Sequence, residues 1–554
     1  MDSKALLAIV LSFMLFLLWH FYFGPQQPTT QPPTKEATQE KTTQPKTAPA
    51  PVPQDLIPQA QAAKTADLSA LKTWTIGDSL FKLQTVEQGA RVSSFTLNNF
   101  REQVDPGSPP VQMVSTRDSL HLPLAVDLIH HQDWQLSVRP YTSDAPQDVA
   151  VKPGGEPKTV TFSTEVPGKV RLTKVFTVAP DTYALDLEIR LENISDEKLS
   201  DQIGVSFYYK PYADSNSSYN PSQLTFSNKG SLTAFQAKDL KPESVPKPPY
   251  DWVAYENNFF IQALVPLTEE AYQIVPRVLD VEQGLMQTVY LSAPIELARD
   301  ETKSIKLRLY TGPKQIDRLK QAGHNLADAV DYGWFSIIAK PMVIVLNWIY
   351  SFTHNYGIAI ILITIIIKII FWPLTHKSYT SMQKMKKIQP KIAQIREKYK
   401  NDREKQNQEL MNIYKTHKVN PMGGCLPMAL QIPVFFALYR MLNAAVDLRH
   451  QPFMLWMNDL TAPDRLHVGF SVNLPLIGHL DGIPVMTILM GITMFIQQKM
   501  TPTSGDPRQE KIMLIMPIMF TFFFINFPAG LVLYWFVNNI LSIAQQYWIN
   551  RNAA

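Results

Sequence analysis

The feature that most constrains this chain is a set of apolar runs long enough to cross a bilayer. The first, at residues 5–23 (ALLAIVLSFMLFLLWHFYF), has about 19 residues, and a helix of that length crosses a hydrocarbon core of about 30 Å. Lipid satisfies no backbone polar group, so each such run has to be helical. Five more candidate spans lie at about residues 356–374, 422–445, 483–500, 512–526 and 530–548. The sequence therefore predicts a polytopic α-helical membrane protein with six transmembrane helices, the last five forming a core over residues 351–548.

The N-terminal run is expected to be a membrane anchor, residues 1–23. A cleaved signal peptide normally ends in small residues, whereas this run ends in WHFYF before Gly24 and Pro25. A signal peptide remains the alternative. Residues 24–66 are rich in Pro, Thr, Gln, Lys and Ala and contain few large apolar residues. Such a composition cannot bury enough surface to offset chain entropy, so it predicts a disordered tether.

Residues 67–315 show the period-two alternation that is typical of half-buried strands. In YALDLEIRLEN, the apolar residues Leu185, Leu187, Ile189 and Leu191 share one face and the charged residues between them share the other. Shorter runs of the same kind, such as TVTFS, RLTKVFTV and SIKLRLYTG, are separated by Pro, Gly, Asn and Asp turn signals. This region is predicted to be a β-sandwich of many antiparallel strands.

Residues 316–350 are expected to connect the β-sandwich to the membrane core. Their second part, DYGWFSIIAKPMVIVLNWIY at residues 331–350, has aromatic residues at both ends and Lys340 and Pro341 in the middle. This pattern favours an amphipathic helix at the membrane interface over a further span.

The distribution of cations predicts the orientation in the membrane. The loop at residues 375–418 holds twelve Lys and Arg against four Asp and Glu, and short loops with such an excess stay in the cytoplasm. Alternation across the spans then places the β-sandwich in the periplasm of a bacterial inner membrane. The N-terminus and a short tail at residues 549–554 are expected in the cytoplasm.

The basic loop itself is predicted to form a helical hairpin that turns near Asn401 and Asp402. An apolar stripe, Met382, Met385, Ile388, Ile392, Ile395 and Tyr399, recurs every three or four residues and can pack on Leu410, Ile413 and Tyr414. A solvated charged loop that only fixes topology is the alternative. As a docking surface, the hairpin would meet anionic lipid head groups, nascent chains or their carriers. The cations proposed for docking are Lys384, Lys386, Lys387, Lys391 and Arg396.

One cation, Lys368, interrupts the apolar run GIAIILITIIIKIIFWPLT at residues 357–375. About a dozen apolar residues at roughly −0.3 to −0.6 kcal/mol each outweigh one lysine at about +3 kcal/mol, so the helix can insert. The alternative is that Lys368 only snorkels to the cytoplasmic surface and has no functional role. However, Thr364 and Trp372 share its predicted helix face, and no Asp or Glu lies in any predicted span. These features favour a water-filled cavity that reaches in from the cytoplasm.

Several classes of activity lack their characteristic residues. The predicted spans contain no carboxylate to relay protons and no Ser/His or Asp/Asp protease arrangement, and the chain has no H-E-x-x-H zinc motif. One cysteine, Cys425, excludes an intramolecular disulfide, and a net charge of +4 without a reader motif argues against nucleic-acid binding. No cofactor, metal or catalytic residue is predicted. A cationic cavity that attracts the polar tail of a hydrophobic segment indicates an insertase.

Four segments resemble the YidC/Oxa/Alb family of membrane protein insertases. The resemblance covers essentially the whole chain and implies a periplasmic β-supersandwich followed by a five-helix core. It also implies a hydrophilic groove that is open to the cytoplasm and lipid and closed to the periplasm. Substrates would slide along this groove into the bilayer without nucleotide hydrolysis by the insertase. The segments are YTSMQKMKKIQPKI at 379–392, NPMGGCLPMALQIPVFFALYRML at 420–442, DYGWFSIIAKP at 331–341 and FPAGLVLYWFVNNILSIAQQ at 527–546.

The resemblance also implies roles for individual residues and partners. The groove cation of the family falls on Lys368, where many relatives have Arg, and its groove threonine on Thr364. The aromatic partner of that threonine falls on Trp535, beside Tyr534. Gln431 and Phe435 match positions that line the groove and its apolar slide. Expected partners are nascent inner-membrane proteins, the Sec translocon with its accessory subunits, membrane lipids, and ribosome or signal recognition components. The tail WINRNAA lacks the basic extension that some family members use to bind ribosomes, so the hairpin is expected to make that contact.

A second function stays open on the residues alone. The chain could be a transporter or flippase whose periplasmic domain binds a sugar or a lipid-linked substrate. Aromatic residues in PPYDWVAYENNFF at residues 248–260 could stack on a sugar, although core packing is the favoured interpretation of that segment.

Overall fold

The computed structural model describes most of the chain from residue 67 onward. The predicted anchor and tether at residues 1–23 and 24–66 therefore lie outside the described residues. The described residues divide into two units, one ending at Val330 and the other beginning at Asp331. The described ranges are 67–105, 107–116, 118–211, 220–417, 419, 426–469, 471–474, 478–501 and 507–552.

The first unit is built mainly of strands. Its described strands are β1 (Thr73–Gly77), β2 (Phe81–Val86), β3 (Arg91–Arg101), β4 (Pro110–Gln112), β5 (Ala125–Leu128), β6 (Asp148–Ala150), β7 (Lys158–Val166), β8 (Val170–Val178), β9 (Ala184–Asn193), β10 (Leu199–Asp201), β11 (Ile203–Tyr209), β12 (Gln223–Asn228), β13 (Ser231–Phe235), β14 (Trp252–Glu256), β15 (Phe260–Pro266), β16 (Tyr272–Asp280), β17 (Leu285–Ser292), β18 (Ile295–Leu297) and β19 (Thr302–Pro313).

These strands pair into three main sheets. An eight-stranded sheet has the order β13-β12-β14-β15-β19-β9-β8-β7, a five-stranded sheet the order β4-β3-β2-β1-β6, and a four-stranded sheet the order β16-β17-β11-β5. Strands β10 and β18 form a separate pair. The pairing is antiparallel except between β1 and β6, which run parallel. The β-rich region predicted from the alternation is therefore present, with one parallel pair that the alternation gave no sign of.

The alternation of β9 matches its burial. Leu185, Leu187, Ile189 and Leu191 are each at most 3% exposed, whereas the charged residues between them reach solvent. Strand β9 lies between β8 and β19 in full register, so both of its edges are paired. One face of the central strands thus forms core, as the period-two pattern predicts.

The aromatic segment at residues 248–260 belongs to the core. Trp252 is 0% exposed, and Tyr250, Tyr255 and Phe260 are each at most 6% exposed. Because these rings are enclosed, they offer no surface on which a sugar could stack. The preference for core packing is confirmed.

The start of the predicted connector packs within the first unit. Helix α1 (Ile316–Ala322) ends at Gly323, and Arg318 donates to the carbonyl of Asp181 at 2.8 Å. The indole of Trp252 donates to the carbonyl of Asn325 at 3.2 Å. Residues 316–330 thus belong to the β-rich unit, and the remainder of the connector belongs to the second unit.

The second unit is helical. Its described elements are α2 (Ser336–Thr353), α3 (Tyr356–Lys398), α4 (Arg403–Thr416), α5 (Leu426–Ala444), α6 (Val485–Met500), α7 (Pro507–Phe524) and α8 (Ala529–Asn552), with a short hairpin of β20 (Val472–Leu474) and β21 (Gly478–Leu480) between α5 and α6.

Helix α3 joins two elements that the sequence suggested were separate. It runs unbroken for 43 residues, so the predicted span at 356–374 and the first helix of the predicted cytoplasmic hairpin are one helix. The Asn355 side chain caps its start by accepting from the amide of Ile358. Beyond the apolar run, Tyr379 and Met382 continue to pack on Ile549 of α8. This packing supports the helix through the point where its apolar pattern stops.

Two described helical segments, Gly333–Thr353 and Tyr356–Lys398, are long and apolar enough to cross a membrane; Val485–Met500 and Met513–Phe524 are shorter apolar helices. The first contains the segment that the sequence assigns to the membrane interface. One face of that segment is open, with Trp334, Ile337 and Trp348 between 62% and 87% exposed. The fold thus has candidate apolar helices and a β-rich unit, as predicted.

Candidate functional site

The cation of the apolar run, Lys368, lies where α3 packs on α8. Lys368 is 6% exposed, and its Nζ donates to Oγ of Ser542 at 2.6 Å. The sequence predicted a cation facing water, whereas the structure buries the amine against a hydroxyl. The difference arises because Ser542 offers a partner that is 174 residues away in the chain.

Ser542 belongs to a polar stripe on α8. Its hydroxyl donates to the backbone carbonyl of Asn538, one turn earlier, at 2.7 Å. The Asn538 side chain accepts from Nε2 of Gln431 on α5 at 3.0 Å. Lys368, Ser542, Asn538 and Gln431 thus form a hydrogen-bonded chain across three helices. Such a chain supplies the polar partners that lipid cannot.

An aromatic cluster adjoins this polar chain. Phe435, one turn along α5 from Gln431, meets Trp535 edge to face with the ring centroids 5.1 Å apart. Phe524 of α7 contacts both rings, at 5.7 and 5.3 Å. Tyr534 is 2% exposed and faces the interior. The predicted residues of α5 and α8 therefore meet, and the site pairs a polar part with an apolar part.

Thr364 and Trp372 do not share the surroundings of Lys368 equally. Thr364 is 1% exposed and its hydroxyl donates to the carbonyl of Ile360 in its own helix at 2.6 Å. Trp372 is 40% exposed and lies near Trp548, with ring centroids 6.2 Å apart. Trp372 thus meets α8, the helix that Lys368 also contacts, but it lies at the exposed edge of that contact, whereas Lys368 and Thr364 are buried.

The structure adds two threonines, Thr375 and Thr493, that the sequence did not single out. Thr375 of α3 accepts from Nε2 of Gln545 on α8 at 3.0 Å, which extends the contact between the two helices by two turns. The Thr493 hydroxyl of α6 accepts from side-chain Nδ2 of Asn539 at 3.2 Å. A threonine in an apolar run carries little signal by itself, because it can bond to its own helix, as Thr364 does.

The loop between α5 and α6 covers the turn between the end of α7 and the start of α8. Arg465 donates to the carbonyl of Ile525 and to the side chain of Asn526, both at 2.8 Å. The amides of Ala529 and Gly530 at the start of α8 donate to carbonyls of the same loop at 2.7 and 2.9 Å. These bonds hold the loop against the start of α8.

The basic hairpin forms as the apolar stripe predicts. Asp402 caps α4 by accepting from the amide of Lys405 at 3.0 Å. Ile388 and Ile392 of α3 pack with Val419, and the partly buried Met385, Leu410, Ile413 and Tyr414 surround them. The packing of this part of the stripe is confirmed, whereas Met382 packs on α8 instead.

The proposed docking cations lie mainly on the outer face of the hairpin. Lys384, Lys386, Lys387 and Lys391 are exposed, and Arg396 is half-buried. Lys391 approaches the ring of His417 on the other arm, with Nζ and Nε2 3.4 Å apart. Within the described ranges, no group of three or more His, Cys, Asp or Glu is arranged to hold a metal ion.

Comparison with known sequences decides the family. A profile described as 60Kd inner membrane protein matches residues 348–554, and one described as YidC periplasmic domain matches residues 73–345. A protein of Syntrophobacter fumaroxidans named membrane protein insertase YidC is 59% identical, with 100% of both chains covered. The chain belongs to the YidC family of membrane protein insertases.

The family assignment confirms the resemblance drawn from the sequence segments. A YidC of Syntrophus aciditrophicus, also named a membrane protein insertase, is 37% identical with 100% of both chains covered. A crystal structure of an active YidC insertase covers 88% of this chain and 94% of its own at 18% identity, with a TM-score of 0.37. As a YidC family member, the chain is an inner-membrane protein with a periplasmic β-rich domain, and it is not an enzyme.

Proposed function

We propose that this chain inserts inner-membrane proteins and helps them to fold through a groove lined by Lys368, Thr364, Gln431, Phe435, Tyr534 and Trp535. The observation that carries the proposal is the buried amine of Lys368 at one end of a hydrogen-bonded chain whose other end, at Gln431, lies one turn from an aromatic cluster. A cation inside an apolar helix attracts an acidic or polar tail, and the aromatic cluster offers a surface for the hydrophobic segment behind it. The two parts together fit a client that has both features.

The mechanism follows from the cost of moving polar groups through lipid. An isolated carboxylate at the bilayer centre costs about 2.5–3.5 kcal/mol on the insertion scale, and a paired one costs less. A lysine part-way across the membrane therefore lowers the barrier for the tail of the client. The hydrophobic segment can then leave sideways into lipid, where its burial makes the step favourable. No nucleotide chemistry is needed for such a transfer.

The proposed topology has six transmembrane helices, with both termini in the cytoplasm and the β-rich unit in the periplasm. The excess of cations at residues 375–418 supports it, because loops of this kind remain on the cytoplasmic side. In this arrangement the loop anchored by Arg465 lies on the periplasmic side and closes the groove there. The domain boundaries proposed from the sequence follow the same order.

The cytoplasmic hairpin is proposed to dock ribosome or signal recognition components and anionic lipid. Its exposed lysines support this, because each cation near an anionic surface contributes about 1 kcal/mol. The Sec translocon and its accessory subunits are further proposed partners. Reversing the charge of Lys384, Lys386 and Lys391 together should weaken ribosome co-sedimentation, most strongly at low salt. Unchanged binding at every salt concentration would remove the hairpin from this role.

The principal test follows a small inner-membrane protein with a short acidic periplasmic tail in cells depleted of this chain. Complementation with Lys368→Arg should restore insertion, whereas Lys368→Ala and Lys368→Glu should impair it, Glu most strongly. A matched client with a neutral tail controls for general damage. If depletion leaves the acidic-tailed client unaffected, the insertase proposal is wrong. Equal activity of all three variants would instead reduce Lys368 to a snorkelling residue.

A deletion pair locates the activity along the chain. Deleting most of the β-rich unit should reduce insertion less than deleting the cytoplasmic hairpin. The opposite order would move the function to the periplasm. A transporter or flippase would require a small-molecule site, and the enclosed aromatic residues at 248–260 do not provide one.

A further inference from the structure

The amine of Lys368 has a hydrogen-bond partner within the protein itself. It donates to Ser542 at 2.6 Å and is 6% exposed, so a client carboxylate cannot reach it without displacing this hydrogen bond. We infer that Ser542 is a latch that holds Lys368 in a resting position and that the acidic tail of a client opens it. This inference rests on the proposed function and adds a specificity-determining residue to it.

The exchange is favourable because the two partners differ in charge. The ammonium makes a charge-assisted hydrogen bond to either partner, but only a carboxylate adds direct attraction between opposite charges. A neutral hydroxyl is a weaker partner for the amine. An acidic tail can therefore replace Ser542, whereas a neutral tail gains little by doing so. The latch thus discriminates between clients by charge.

The latch can open without leaving Ser542 unsatisfied. The Ser542 hydroxyl donates its hydrogen to the carbonyl of Asn538 at 2.7 Å, and that bond does not involve Lys368. When the amine leaves, Ser542 therefore retains its bond to Asn538. An unsatisfied buried hydroxyl would cost about 1–3 kcal/mol, so its avoidance keeps the barrier to opening low.

The neighbouring contacts allow the latch to move by itself. Thr375 and Gln545 hold α3 against α8 two turns further on, and Gln431 holds Asn538 from α5. Neither pair includes Lys368. The helices can therefore remain packed while the lysine side chain, with its four rotatable bonds, changes partner.

The test uses the full-length protein in liposomes and ribosome-stalled clients that carry a photo-crosslinker in the tail. Two clients are identical except that the tail contains Asp and Glu in one and Asn and Gln in the other. Ser542→Ala should raise crosslinking of the acidic tail by about threefold to tenfold, the range that corresponds to one net hydrogen bond, and leave the neutral tail unchanged. Ser542→Thr, which keeps the hydroxyl, should behave as the wild type.

The matched control is Gln545→Ala, which removes a buried polar side chain of α8 that contacts Thr375 rather than Lys368. It should change both clients equally. If Ser542→Ala lowers both clients to the same extent, or alters neither, the latch is wrong. The Lys368→Ala variant separates failure of the latch from failure of the proposed function. If Lys368→Ala loses the preference for acidic tails, Lys368 still acts as the groove cation even when the Ser542 results contradict the latch.

Discussion

Gln431 of α5 donates a hydrogen bond to Asn538 of α8 at 3.0 Å, and this contact lies between the polar and the aromatic parts of the site. Phe435 and Trp535, one turn away on the same two helices, form an edge-to-face aromatic pair. Two antiparallel helices thus exchange one polar and one aromatic contact in succession. The polar contact fixes the register of the helices, because a shift would leave two amides without partners.

Breaking this pair should destabilise the helical unit. Gln431→Leu leaves the 7%-exposed Asn538 without its donor, and we expect a loss of about 1–3 kcal/mol in the free energy of unfolding. Asn538→Leu should cost a similar amount. The double variant Gln431→Leu/Asn538→Leu should cost less than the sum, because no amide is then left unpaired. Urea titration followed by pulse proteolysis in nanodiscs measures all three, and strict additivity would show that the pair is not coupled.

A close approach at the start of α3 should be sensitive to one methyl group. A Cβ added to Gly357 would lie 2.0 Å from Cδ2 of Phe453, which is too close for any contact. We expect Gly357→Ala to destabilise the protein by about 1–3 kcal/mol, as overpacking does. The double variant Gly357→Ala/Phe453→Leu, in which a smaller side chain replaces the ring, should recover most of the lost stability. Thermal aggregation in detergent reports the order of the variants, and no loss in Gly357→Ala would contradict this packing.

A buried ion pair near the end of β19 should respond strongly to the loss of one partner. Lys314 donates to Oε2 of Glu256 at 2.8 Å, and both side chains are at most 8% exposed. Lys314→Met should cost about 3–5 kcal/mol because it leaves Glu256 charged and buried. Glu256 keeps hydrogen bonds from Thr225 and Gln223, so the variant is expected to fold.

The matching double variant identifies the cause. Lys314→Met/Glu256→Gln removes both charges and should be more stable than Lys314→Met alone, by pulse proteolysis of the full-length protein. If the double variant is the less stable of the two, the ion pair contributes net stability beyond avoiding a lone charge.

A lysine in the core of the β-rich unit should make stability depend on pH. Lys174 of β8 is 0% exposed and donates to the carbonyls of Gly89 and Leu124 at 2.5 and 2.6 Å. Burial and the nearby Arg91 guanidinium lower the pKa of Lys174 well below its ordinary value of 10.5, against the opposing effect of Asp127. Between that lowered pKa and 10.5, the unfolded chain binds a proton that the folded chain does not. Stability therefore rises with pH in this window.

The variant Lys174→Met should lose this dependence. The stability of the wild type relative to the variant should rise with pH, by up to about 1.4 kcal/mol per pH unit where the proton difference is complete. Measurement between pH 7 and about pH 9.5 stays below the ordinary pKa of tyrosine, which is about 10. Burial raises the pKa of Tyr141 further above this window. Lys158→Met, which removes an exposed lysine of β7, is the control. Parallel pH profiles for the wild type and Lys174→Met would contradict the assignment.

Much of the architecture could be predicted from local patterns. The apolar runs identified the helices, the alternation in β9 identified its buried face, and the 375–418 stripe predicted the hairpin and its turn near Asp402. These features are local because periodicity along a few turns reports which face of an element is buried. Lys368 was also evident as a candidate, since one cation in an apolar run is conspicuous without any structure.

Partners across the chain were decided by the tertiary structure alone. The sequence did not indicate that Lys368 meets Ser542, that Thr375 meets Gln545, or that β1 runs parallel to β6. It also did not place Lys174 in the core, although that residue occupies an inward position of an alternating strand. Periodicity gives the face of each element, whereas a partner depends on how distant elements pack. The sequence therefore determined the helices, the β-rich region and the unusual cation, and the packing of α3, α5 and α8 determined what that cation touches.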